Sequence, residues 1–194
     1  MANAGNLLVS NAKIWVAPYG STLPAETETA LLANPSAPFA SPGFTNGGVT
    51  WNQEYDFTEY RADQVKIALG AANTDMTITV EMTLAEITLA NLAYVLADGT
   101  TDATLDTNKV TKFTPAAMND FQMPYMTLIL DTDAPSGLQG INKRRRIVFK
   151  RCLPTSGTEL AYGREDQQGL PVTWTVYGID ETTAPYYILE QTAS

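Results

Sequence analysis

"NTDMTITVEMTL", residues 73–84, decides the fold class. Met76, Ile78, Val80, Met82 and Leu84 alternate with Asp75, Thr77, Thr79, Glu81 and Thr83. Successive side chains on a strand point to opposite faces. The period of two therefore gives one apolar face and one acidic, hydroxyl-rich face. Threonine is β-branched and suits a pleated, half-buried surface. The stretch predicts a strand with its back to a core and its front to water.

The pattern changes immediately after it. Thr83 and Glu86 have the spacing of a capping box ahead of "EITLANLAYVLADG". Ile87, Leu89, Leu92, Val95 and Leu96 give an apolar stripe, and Gly99 is a plausible stop. One substantial helix is expected, from about Leu84 to Leu96. Further strands are expected at Lys13 to Ala17, Val49 to Phe57, Val65 to Leu69, Tyr125 to Asp131, Arg145 to Leu153 and Pro171 to Tyr177. The expected fold is mainly β, an antiparallel sandwich or barrel with one flanking α-helix.

Residues 18–48 have another texture. Five of the eleven prolines and four of the thirteen glycines fall there. A long loop or arm is expected, with a short helical turn near Thr27 to Leu32. At 194 residues, 44% hydrophobic and 17% charged, the chain fits a single folded domain over residues 1–194. No apolar run is long enough to span a membrane. The opening "MANAGNLLVS" lacks a charged start and a long apolar stretch, so no signal peptide is expected.

The chemistry-bearing residues are few. There is no histidine, which removes the commonest general base and metal ligand. Cys152 is the only cysteine, so neither an intrachain disulfide nor a cysteine metal cluster can form. It reads as a half-buried strand residue. "DTDAPSG", residues 131–137, departs from a calcium loop at Pro135 and Ser136. Glu54 with Asp56, and Asp75 with Glu81, pair on strand faces without the aromatic and amide surroundings of a sugar site. No enzyme, no cofactor and no metal site are expected.

"NKRRRIVFKR", residues 142–151, is the anomaly. Six of its ten residues are basic in a chain of net charge −9. Three readings stand: phosphate binding, contact with an acidic surface of another subunit, or a charged edge strand protected from aggregation. Only six basic residues face twenty-one acidic ones in the rest of the chain, which disfavours a nucleic-acid footprint. Lys143, Arg144, Arg145, Arg146, Lys150 and Arg151 are therefore candidate inter-subunit or inter-ring residues. No basic residue lies between Lys13 and Arg61, nor between Lys66 and Lys109. The strand faces carrying Asn52, Glu54, Asp56, Asp75, Thr77, Thr79 and Glu81 are thus neutral or negative. Such a wall repels phosphates and suits a conduit for DNA; it also serves solubility.

"KIWVAPYGSTLPAETETAL", residues 13–31, resembles the opening of the major tail tube proteins of long-tailed, siphovirus-like bacteriophages. "PGFTNGGVTWNQEYDFTEYRADQ", residues 42–64, and "TITVEMTLAE", residues 77–86, follow in the order and spacing of that family. The resemblance is good over residues 13–96 and extends in outline to "VTWTVYG". It implies a virion tail protein, made in the host cytoplasm, that forms hexameric rings. The rings stack as a tube joined to tape-measure, tail-terminator and distal tail proteins. It also implies that DNA passes the lumen without specific binding and that no membrane is engaged. The seven acidic and polar residues above would face that lumen. Two alternatives remain. One is another self-assembling ring protein: a head–tail connector, a tail terminator or a secretion-system tube. The other is a carbohydrate-binding β-module using Trp15, Trp51 and Trp174 as a stacking platform.

Overall fold

The computed structural model describes residues 11–61, 66–96, 99–105, 110–115, 124–134, 143–156 and 168–191. The elements in chain order are β1 (Lys13–Pro18), α1 (Glu28–Leu32), β2 (Thr45–Tyr60), β3 (Gly70–Leu84), α2 (Leu89–Leu96) and β4 (Gly99–Leu105). They continue with β5 (Val110–Pro115), β6 (Met126–Ala134), β7 (Lys143–Pro154), β8 (Leu170–Val176) and β9 (Tyr186–Glu190). One seven-stranded antiparallel sheet runs β1-β6-β7-β8-β3-β2, with β9 beside β7; β4 and β5 form a separate hairpin. The fold is mainly β, as the alternation in residues 73–84 predicts.

The inner face of this sheet makes one core. Ile14 of β1, Leu128 of β6, Phe149 of β7, Trp174 of β8 and Val80 of β3 are all buried in the same cluster, with Val95 of α2 against them. Strands far apart in the ladder can share a core only if the sheet curls. Trp51 of β2 shows the closure. Its ring meets Phe149 at 5.7 Å and Tyr186 of β9 at 5.2 Å, edge to face. The Tyr186 hydroxyl also donates to Gln53 Oε1 at 2.9 Å. Side chains thus draw β9 and β2 together where no backbone ladder does. The result is a sheet curled almost into a barrel.

Residues 19–44 are not a projecting arm. They cross the outer face of β1, β6 and β7, where Phe39 joins Ala17, Ile129 and Val148 in a second buried cluster. Val16 and Ala40 exchange backbone hydrogen bonds at 2.8 and 2.9 Å. Short helix α1 falls where the sequence predicts it, capped by Thr27, whose hydroxyl accepts from Ala30 N at 3.3 Å.

Several expectations are corrected. Among the described residues α2 is the one substantial helix expected, and α1 is the expected short turn. Helix α2 begins at Leu89, not Leu84, because the β3 ladder continues to Leu84, which pairs with both Leu170 and Thr45. Burial of Leu84 and its ladder bonds outweigh the capping-box spacing. Thr88 is the real cap, accepting from Asn91 N at 3.1 Å. Glu86 instead accepts from Phe44 N at 3.3 Å. Of the strand expected at Val65 to Leu69, Val65 lies outside the described residues and Lys66 to Leu69 lie in the connection between β2 and β3. Strands β4, β5 and β9 lie where the sequence pattern predicts no strand.

Candidate functional site

The outer face of the sheet is divided. Its β1-β6-β7 half lies under residues 19–44, while its β2-β3-β8 half is open. Ladder register decides what that open half presents. Thr50 lies opposite Glu81, Asn52 opposite Thr79, Glu54 opposite Thr77 and Asp56 opposite Asp75. On the other side of β3, Thr173 lies opposite Glu81 and Thr175 opposite Thr79. The seven candidate wall residues thus share one face. All are exposed except Thr79, which is half-buried. Their apolar alternates Ile78, Val80 and Met82 are buried on the reverse. No lysine or arginine lies on β2, β3 or β8.

Beyond the core, β2 and β3 continue as a two-stranded ribbon. Ile78 is the last residue of β3 to pair with β8, so among the described strands residues 70–77 pair with β2 alone. The core face continues along the ribbon, where its apolar side chains are exposed. Phe57 is 62% exposed, and Tyr55 and Met76 stand beside it uncovered. Gln53 donates to the Tyr55 hydroxyl and to Met76 Sδ, a small polar patch where the core ends. Apolar side chains this exposed and contiguous mark a contact surface.

The basic run is split by the pleat and the core. Arg146 is fully buried. Its Nε donates to Asp131 Oδ1 at 2.5 Å and its Nη2 to Asp131 Oδ2 at 2.8 Å. Nη1 and Nη2 reach Ala30 O and Ala33 O, each at 2.9 Å, at the C-terminal end of α1. Trp15 Nε1 adds a bond to Asp131 Oδ2 at 3.2 Å. Arg146 therefore has no surface to offer a neighbour; it fastens residues 19–44 to the sheet. Arg145 pairs with Glu190 of its own chain at 2.5 Å, partly exposed. Lys143 and Arg144 are half-exposed, and Lys150 sits 5.7 Å over the Tyr187 ring. Arg151 stacks on Tyr125 at 3.8 Å and faces Tyr19 at 5.8 Å.

The remaining candidates for chemistry lose their surface. Cys152 is buried, and that desolvation pushes its thiol up to about 12, the opposite of an activated nucleophile. Trp174 is buried in the core. Trp51 packs in the aromatic triad, and Trp15 lies half-buried with its indole N–H on Asp131. The three tryptophans therefore form no shared sugar platform. Sequence reasoning missed Asn91, a buried amide whose Nδ2 donates to Pro42 O and Glu86 O, both at 2.7 Å. With Glu86 it ties residues 42–44 to the start of α2.

An open acidic wall and an exposed apolar ribbon are the two surfaces this subunit offers. The family model described as "Phage tail tube protein" matches residues 1–194. The chain belongs to that family. No curated protein matches it. As a tail tube protein it is a structural component of the virion tail and assembles with other tail components.

Proposed function

We propose that this tail tube protein forms hexameric rings that stack into a siphovirus-like tube. In that tube the open β2-β3-β8 face lines a lumen through which DNA enters the host. The observation that carries the reading is the register. It sets Asn52, Glu54, Asp56, Asp75, Thr77, Thr79 and Glu81 side by side on one uncovered face. Phosphates passing such a face are repelled rather than held, so transit meets few traps. Asp56 directly opposite Asp75 is a like-charge pair, which weakens a ladder rather than stabilising it. Its presence suits a wall better than a fold.

Self-assembly follows from the ribbon. Its exposed Tyr55, Phe57 and Met76, and the outer edge of β2, unpaired among the described strands, are features that a second copy covers. A head-to-tail contact of this kind builds rings and filaments. The test is Thr77→Lys with Thr79→Lys in phage tails. Tails should reach normal length while DNA ejection slows, since cations would now hold phosphates. Ejection at the wild-type rate from such tails would sink the lumen assignment.

A further inference from the structure

Arg151 has a setting unlike that of its paired neighbours. Arg61, Arg145 and Arg146 each pair with a carboxylate of their own chain. Among the described residues Arg151 pairs with none. Its guanidinium is instead held in place by Tyr125 at 3.8 Å, Tyr19 at 5.8 Å and the Gly178 carbonyl, to which Nη1 donates at 3.2 Å. Tyr177 completes the cluster, its ring 6.0 Å from that of Tyr125. The Nε atom is buried without an acceptor. A half-buried, immobilised cation with no counter-charge among the described residues is a costly arrangement. Arginine and tyrosine together are also the side chains most enriched at the centres of protein interfaces.

The same molecule carries the converse defect. On the ribbon, Asp56 and Asp75 face each other across the ladder, both exposed. Asp75 Oδ1 accepts from its neighbour Met76 N at 2.7 Å, and no cation among the described residues pairs with either carboxylate. Arg151 lies on β7 against Tyr19 and beside Tyr177 at the end of β8, whereas the carboxylates lie on the part of β2 and β3 that runs beyond the β8 pairing. The two patches differ, so a contact between one copy's ribbon and another copy's cluster is head-to-tail, the kind that builds rings and filaments.

We infer that the Arg151–tyrosine cluster of one copy receives the Asp56–Asp75 carboxylate pair of the next. The inference rests on the assembly of copies proposed above. A planar, pre-oriented guanidinium offers paired donors to carboxylates, and the like-charge pair gains the cation it lacks. Asp56 and Asp75 stand at the end of the acidic row, so the contact uses its rim to join successive copies and leaves Asn52, Glu54, Thr77, Thr79 and Glu81 to face the lumen.

Sedimentation velocity over a concentration series gives the critical concentration for association. Arg151→Asp and Asp56→Arg should each raise it about tenfold or more, the effect of truncating one partner of a buried charge pair. Combining the two changes in one chain should bring it back toward the wild-type value. Arg151→Gln, which keeps the side chain's length, should shift it in the same direction. Thermal melts below the critical concentration check that each variant folds. Association of Arg151→Gln and Arg151→Asp at the wild-type concentration overturns the inference alone, as does a combined variant no better than the singles. A wild-type chain that never associates overturns the assembly reading with it.

Discussion

Replacing Asp131 with alanine isolates the most consequential polar contact in the subunit. The side chain of Arg146 is 0% exposed and that of Asp131 is 5% exposed, so the guanidinium cannot turn to water when its partner is removed. Breaking a buried pair by deleting one member costs about 3–5 kcal/mol, because an uncompensated charge stays buried. Trp15 Nε1 loses its acceptor in the same step. The two α1 carbonyls keep Arg146 as donor, which places the loss within that range rather than above it. For a chain of this size about 2–4 °C accompanies each kcal/mol, so Asp131→Ala should melt roughly 6–20 °C lower. The contrasting change is Arg145→Ala. Its pair with Glu190 is partly exposed, and the expected loss is about 0–1 kcal/mol. Urea unfolding of the dissociated chain measures both. Amide exchange should also quicken over residues 28–40 in Asp131→Ala. A loss under about 1 kcal/mol for Asp131→Ala would refute the view that this pair fastens residues 19–44 to the sheet.

Phe57→Ser should leave the stability of the isolated subunit within about 0.5 kcal/mol, as for other surface changes, while reducing association; a large drop in melting temperature would show the ribbon packs in its own subunit. Gly43 has φ +92°, and an added Cβ would clash with the Glu86 carboxylate. Gly43→Ala should therefore destabilise by about 1–3 kcal/mol, read by urea unfolding, and Glu86→Ala should relieve only the clash and not the backbone strain. Cys152 favours its neutral thiol in the fold, so its contribution is fully present below about 9 and is lost as pH rises toward about 12. Alkylation by iodoacetamide at pH 8 should be negligible until urea unfolds the chain, and rapid labelling of the native protein would contradict that burial.

Much of the fold was legible because its signal is local. The alternation in residues 73–84 locates β3 and assigns its two faces, and the register then brings Asn52, Glu54 and Asp56 alongside them. The helix start is not legible at Leu84 because Thr83 and Glu86 satisfy a local spacing, whereas the continuing strand depends on Leu170 and Thr45, distant in sequence. Arg146 reads like its basic neighbours in the sequence. Only the β6–β7 register, which sets it against Asp131, shows that it belongs to the interior. The ribbon is illegible for a related reason. Trp51, Tyr55 and Phe57 keep the same period whether a core covers them or not, and only the end of β8 at Val176 shows where cover stops. Strand β9, "YYILE", lacks the polar alternation that marks β3.

The most direct measurement is an electron cryo-microscopy map of the tube this protein forms, read for the radial position of one sheet face. The account predicts stacked rings whose inner wall carries Glu54, Thr77, Thr79 and Glu81, with Tyr55 and Phe57 covered by another copy. A closed particle that does not stack, or a tube that turns those four side chains to its outer surface, would contradict it.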